Sequence, residues 1–110
     1  MSLDIWLTVK TGKNNRESLT IFDGNITGNL CDMWQEAGIL DTLYDSGGKK
    51  AEEMLPSLVS GITKMRKDPK HYKQFDSPNG WGTYEDGLKF VRSLARACNR
   101  FPESVVGIWK

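Results

Sequence analysis

One histidine and two cysteines are all the imidazole and thiol donors in this chain of 110 residues. No CxxC or HExxH spacing organises them, so neither a zinc centre nor any other metal site is expected. Two cysteines are also too few for a disulfide framework. Cys31 and Cys98 both fall on the apolar side of helical patterns, where a free thiol behaves as a small hydrophobe, so buried, reduced thiols are expected. Long apolar runs are missing too. None approaches the ~18 residues of a membrane span, and the first residues lead into a strand pattern and not an apolar signal segment. The expectation is a protein with no membrane association, located in the cytoplasm. Net charge is almost absent: 15 basic against 14 acidic residues leave +1. Nothing electrostatic draws such a chain to nucleic acid, and the cluster Lys64, Arg66, Lys67, Lys70 and Lys73 reads as a solvated face.

Recognisable catalytic organisation is lacking as well. The sequence holds no nucleophile elbow and no phosphate-binding loop. Asp23, Asp32, Asp86 and His71 include an acid and a base, but their spacing brings nothing together. No catalytic residue and no cofactor is assigned, and a binding role is expected ahead of an enzymatic one.

The chain does contain enough apolar residues, 38%, for a single domain over 1–110 with one core. Residues 3–10 alternate, with Leu3, Ile5, Leu7 and Val9 on one face and Asp4, Trp6, Thr8 and Lys10 on the other, as in a half-buried strand. Thr11 to Glu17 suits a hairpin loop, and Ser18 to Phe22 reads as a second strand with Leu19 and Ile21 inward. Asp23 to Asn29 is expected to break that strand. Leu30, Met33, Trp34 and Ala37 then recur at helical spacing, with Asn29 or Thr27 as N-cap and Gly38 as the C-terminal stop. Leu40 to Tyr44 adds a further turn.

Ala51 to Met65 carries a helical stripe interrupted by Pro56. The expected solution is a short turn over Lys49–Met54, then a helix with Pro56 in its first turn. Asp68-Pro69 ends that helix and starts another turn. Tyr84, Leu88, Val91, Ala95 and Cys98 mark the buried face of the last long helix, with Thr83 and Asp86 as a capping box. Ser104 to Trp109 reads as a closing strand. The fold expected is α+β: a three-stranded antiparallel sheet, in the order β-β-α-α-α-β, with three helices packed on one face.

Two polar stretches stand out. Asn25-Ile26-Thr27-Gly28-Asn29 places two carboxamides and a hydroxyl at a helix start, where they cap the turn or bind a polar ligand. Ser77-Pro78-Asn79-Gly80-Trp81-Gly82-Thr83-Tyr84 holds an indole between two glycines, as a core plug or a pocket wall. The topology predicts that the two stretches meet, so Asn25, Thr27, Asn29, Asn79, Trp81 and Tyr84 form one candidate cleft. Trp6 and Trp109, on strands expected to be adjacent, form a second candidate: an aromatic interface on the exposed sheet face.

The segment Asn25-Ile26-Thr27-Gly28-Asn29-Leu30, followed far downstream by Ser77-Pro78-Asn79-Gly80-Trp81-Gly82-Thr83-Tyr84-Glu85, resembles a family of small bacterial and prophage-encoded proteins. Its signatures are N-[IV]-T-x-N-L and N-G-W-G-x-Y-E. The helix ending at Asp68-Pro69 and the closing strand match too, so the resemblance spans most of the chain. It implies a phage or mobile-element origin and a stand-alone domain in the cytoplasm of the bacterial host, but no activity. Gly28 departs from the His or Tyr common at that position, and Ser77 from the usual Asn. Any chemistry resting on an imidazole or aromatic ring at position 28 is lost here. The role expected is a small phage- or prophage-derived binding or adaptor protein engaging a host or phage protein. The alternative is a small-ligand-binding protein or enzyme using the cleft at the two helix starts.

Overall fold

The computed structural model describes residues 2–110. Alternation builds the first strand as expected: β1, Ser2–Thr11, buries Leu3, Ile5 and Leu7 completely. The second strand, β2, spans Glu17–Thr27 and does not break at Asp23. Asp23, Gly24 and Asn25 have low strand preference, but β1 holds them in the ladder, pairing Trp6 with Asp23 and Asp4 with Asn25. A register shift between Leu7 and Thr8 bends the ribbon and leaves Ile21 as the extra residue. Phe22, Gly24 and Ile26 therefore lie opposite Leu7, Ile5 and Leu3. Leu19, expected inside, is 55% exposed, because its place opposite Val9 lies on the projecting part of the hairpin. That projection stretches the molecule to 49 × 25 × 19 Å.

A 3-10 turn over Gly28–Leu30 leads into α1, Cys31–Ala37, which Gly38 closes in the left-handed region at φ 77°. The Ile39 N–H bonds back to the Trp34 carbonyl at 2.9 Å, and Ile39 is fully buried. A short α2, Leu40–Tyr44, follows. The next helix, α3, runs unbroken over Ala51–Lys67 with Pro56 inside it, so the expected split after Met54 does not occur. Its first turn is fixed from elsewhere. The N–H groups of Ala51 and Glu52 donate to the Ser104 and Pro102 carbonyls at 2.8 and 3.0 Å, and the Lys50 N–H donates to the Glu53 carboxylate at 2.8 Å. With the start anchored, the proline removes one internal bond and the helix continues through it.

Asp68 caps α4, Pro69–Lys73, accepting the His71 N–H at 3.3 Å. A second long amphipathic helix, α5, covers Tyr84–Arg100 and buries Val91, Leu94 and Cys98. The chain ends in β3, Val105–Trp109. The sheet order is β2-β1-β3, all antiparallel, and the helices pack on one face over a single core. The architecture is thus α+β with a three-stranded antiparallel sheet, though five α-helices, besides two 3-10 turns, stand among the described residues where three helices were expected. Among the described residues, no helix is long and apolar enough to cross a membrane.

Candidate functional site

Both outer strands run opposite to β1, so they end at the same edge of the sheet. Asn25 and Trp109 both lie opposite Asp4. The turn preceding α5 restarts at this edge, and the two polar stretches meet there.

The contact is built from short-range polar chemistry. The Thr27 hydroxyl accepts the Asn29 N–H at 3.2 Å and caps the 3-10 turn, so Asn29 is not the cap. The Asn29 carboxamide is free to reach outward, and it donates to the Trp81 carbonyl at 2.9 Å. Asn79 shapes the other side, its carbonyl oxygen accepting the Trp81 N–H at 2.9 Å and the Ser77 hydroxyl at 2.6 Å. Gly82 sits between them at φ 107°, and a Cβ there would come within 2.9 Å of the Thr27 methyl. The Thr83 hydroxyl accepts the Asp86 N–H at 3.2 Å as expected. The carboxylate expected from Asp86 at this helix start is supplied by Asp76, which accepts the Tyr84 N–H at 2.7 Å.

The two aromatic residues of this stretch behave differently. Trp81 is 74% exposed, so it is not a core plug. Tyr84 is buried and its hydroxyl donates to the Met65 carbonyl at 2.8 Å, which makes it a packing residue. Burial also pushes its phenol pKa up. Asn25 bonds within the sheet, its carboxamide donating to the Asp4 carboxylate at 2.6 Å. A hollow of about 530 Å³ runs between the edge strand and α5, lined by Phe22, Asn25, Thr27, Gly82, Asp86 and Phe90. A second, of about 540 Å³, lies between Asn29, Cys31, Asp32 and the segment from Gln74 to Pro78.

The acids and the histidine named from the sequence are brought together only in part. Asp23 and Asp86 line the first hollow and Asp32 the second. His71 is taken up by Glu36, 2.8 Å from its Nε2, and by Gln74, 2.9 Å from its Nδ1, an arrangement that ties α4 to α1. Among the described residues no cluster of His, Cys, Asp or Glu could hold a metal. Cys98 is buried as expected, and burial pushes its thiol pKa up to about 11. Cys31 is only half-buried, and its thiol donates to the Tyr44 hydroxyl at 3.4 Å.

The second candidate lies on the sheet face opposite the helices. Register sets it out as a grid: Asp23, Trp6 and Gly107 form one row across the three strands, and Asn25, Asp4 and Trp109 the next. A Cβ at Gly107 would overlap the Trp6 indole, so the absence of one lets the ring lie on the β3 backbone. Trp6 is thereby half-buried, while Trp109 is 72% exposed. Alternation had already put Asp4 on this face of β1 beside Trp6, though not as a site residue, while Asp23 was missed. The signal for Asp4 was its place two residues from Trp6, but Asp23 joins the face only through the continued pairing of β2. The chain matches no protein-family model, no curated protein and no solved structure.

Proposed function

We propose that this protein is a binding or adaptor domain that engages another protein through the outer face of its sheet. The observation carrying this reading is Trp109, 72% exposed, one row along the sheet from the half-buried Trp6 on the face opposite the helices. Leaving the Trp109 indole in water forgoes the burial that ordinarily makes it favourable, and exposed aromatics are enriched where partners dock. The resemblance of Asn25–Leu30 and Ser77–Glu85 to prophage-encoded proteins supports a host or phage protein as the partner, in the bacterial cytoplasm. Immobilised protein should retain a specific protein from bacterial lysate, and Trp109→Ala should lose it. Capture unaffected by Trp109→Ala rules out the sheet face as the contact.

One observation favours a second reading, a small-ligand site at the junction of the two polar stretches. Asn25, Asn29 and Asn79 each spend one end of the carboxamide within the protein. The other ends have no partner among the described residues, and the adjoining hollows fall in the size range of small-molecule sites. A thermal-shift screen against metabolites separates the readings: a ligand shift abolished by Asn29→Ala, without protein capture, selects the junction.

A further inference from the structure

The outer sheet face has a charge as well as a shape. Each tryptophan lies directly opposite a carboxylate, Trp6 opposite Asp23 on β2 and Trp109 opposite Asp4 on β1. Directly opposed side chains are about 5 Å apart, close enough to act on one incoming group. Neither carboxylate has a basic partner among the described residues. The ion pairs present are Lys50–Glu103, His71–Glu36, Lys73–Glu85 and Lys110–Asp45. Asp4 is instead held in place by the Asn25 carboxamide, which leaves its charge uncompensated. Lys10, which shares this face of β1, stands four residues beyond Trp6, roughly 13 Å away at strand rise.

Resting on the reading of this face as a protein-docking surface, we propose that it receives a positively charged segment of the partner, arginine side chains stacking on Trp6 and Trp109 while their guanidinium groups bond to Asp23 and Asp4. The argument is complementarity. An indole face attracts a cation through its quadrupole, and a guanidinium can stack on it while its planar N–H fork engages a carboxylate. An arginine satisfies both neighbours at once, whereas an apolar segment would cover the indoles and strand two desolvated carboxylates. An acidic segment would be repelled. The chain's net charge of +1 supplies no general attraction for a basic peptide, so any binding must come from a local patch.

The test is a titration of the uniformly ¹⁵N-labelled protein with a ten-residue peptide of alternating arginine and glycine, and with its glutamate counterpart. The four tryptophans give four indole N–H signals. The Trp6 and Trp109 signals should move saturably with the arginine peptide, those of Trp34 and Trp81 should stay, and the glutamate peptide should move none. Asp4→Asn with Asp23→Asn should weaken the arginine peptide at least tenfold, and raised salt should weaken it in the unmodified protein. The paired substitution keeps the acceptor for Asn25, so the fold is retained, which the unshifted Trp34 signal reports. Absence of movement at Trp6 and Trp109, or equal affinity in the Asp4→Asn/Asp23→Asn protein, overturns the proposal. Lysate capture that is lost in Trp109→Ala yet kept in the doubly substituted protein overturns it while leaving the docking face standing. Capture kept in Trp109→Ala overturns the docking face itself.

Discussion

Asn29 and Trp81, 52 residues apart in the chain, are joined by one hydrogen bond from the Asn29 carboxamide to the Trp81 carbonyl, at 2.9 Å. The bond closes the turn before α5 onto the segment that follows β2. Its acceptor is a backbone carbonyl on an exposed turn, so the bond positions the turn without needing the indole. The Trp81 side chain is left in solvent as a consequence.

Asn29→Ala should therefore loosen the turn more than it destabilises the fold. A net hydrogen bond at an exposed position contributes about 1 kcal/mol. Urea denaturation should register that loss and little more. Hydrogen exchange should report the local effect, with faster exchange at Gly80, Trp81 and Gly82 and unchanged protection in β1. Equal acceleration in β1 would show that the bond supports the whole sheet and not the turn alone.

How far the fold was legible depended on how local its causes are. The alternation of β1, the Gly38 stop and the Thr83 cap are decided within a few residues, and each stands where the pattern put it. The continuation of β2 past Asp23 is decided by Asp4 and Trp6 on another strand. The unbroken α3 is decided by the carbonyls of Pro102 and Ser104, some fifty residues downstream of the first turn. Neither cause leaves a trace in the local sequence. The meeting of the two polar stretches followed from strand direction alone. The roles within them did not: whether Tyr84 faces a ligand or bonds Met65 is settled by α3, and whether Asn79 binds outward or holds Trp81 is settled by the turn.

Trp34 offers a test of core polarity. It is fully buried on α1 against Gly87 of α5, and its indole N–H has no partner among the described residues. An unsatisfied buried donor costs about 1–3 kcal/mol. Trp34→Phe removes that donor while leaving a smaller ring and some unfilled volume, so the two effects oppose each other. The expected change is within about 1 kcal/mol, against ~3–5 kcal/mol for Trp34→Ala. Urea midpoints of the two variants check this. A phenylalanine variant as unstable as the alanine one would show that the N–H is not a burden.

Alkaline pH should unfold the protein progressively. The Cys98 thiol ionises near pH 9 in the unfolded chain, and burial raises this to about 11 in the folded one. Below pH 9 both states hold the proton and the contribution of the buried neutral thiol is complete. Between pH 9 and 11 the unfolded chain releases it first, so stability falls as pH rises. The half-buried Tyr44 phenol is also shifted upward, first by desolvation and then by the Cys31 thiol, and it adds the same sign at higher pH. Melting temperatures from pH 8 to 11 should decline, and Cys98→Ala should decline less steeply although it starts lower. Parallel slopes in the two proteins would remove Cys98 as a cause.

The last test concerns Gly61, a buried glycine inside α3 whose role no sequence pattern announced. Two effects compete there. Alanine is favoured over glycine in a helix interior by roughly 1 kcal/mol, which predicts that Gly61→Ala stabilises. Yet a Cβ at this position would stand 2.5 Å from the Ile39 Cγ2 and 3.4 Å from the Ala37 carbonyl oxygen. Ile39 is fully buried and its backbone is bonded to the Trp34 carbonyl, so it has little room to retreat. Overpacking of this kind costs ~1–3 kcal/mol, and that outweighs the helix preference. Gly61→Ala should thus destabilise by up to about 2 kcal/mol once both terms are counted. Ile39→Ala alone should also destabilise, by removing buried apolar atoms. Combining them tests the mechanism, because the alanine at 61 then occupies space the isoleucine has vacated. The double variant should be more stable than the sum of the single losses predicts, by about 1 kcal/mol or more, as expected for residues in contact. Additive losses would mean that the helix does not need its glycine for the approach of Ile39.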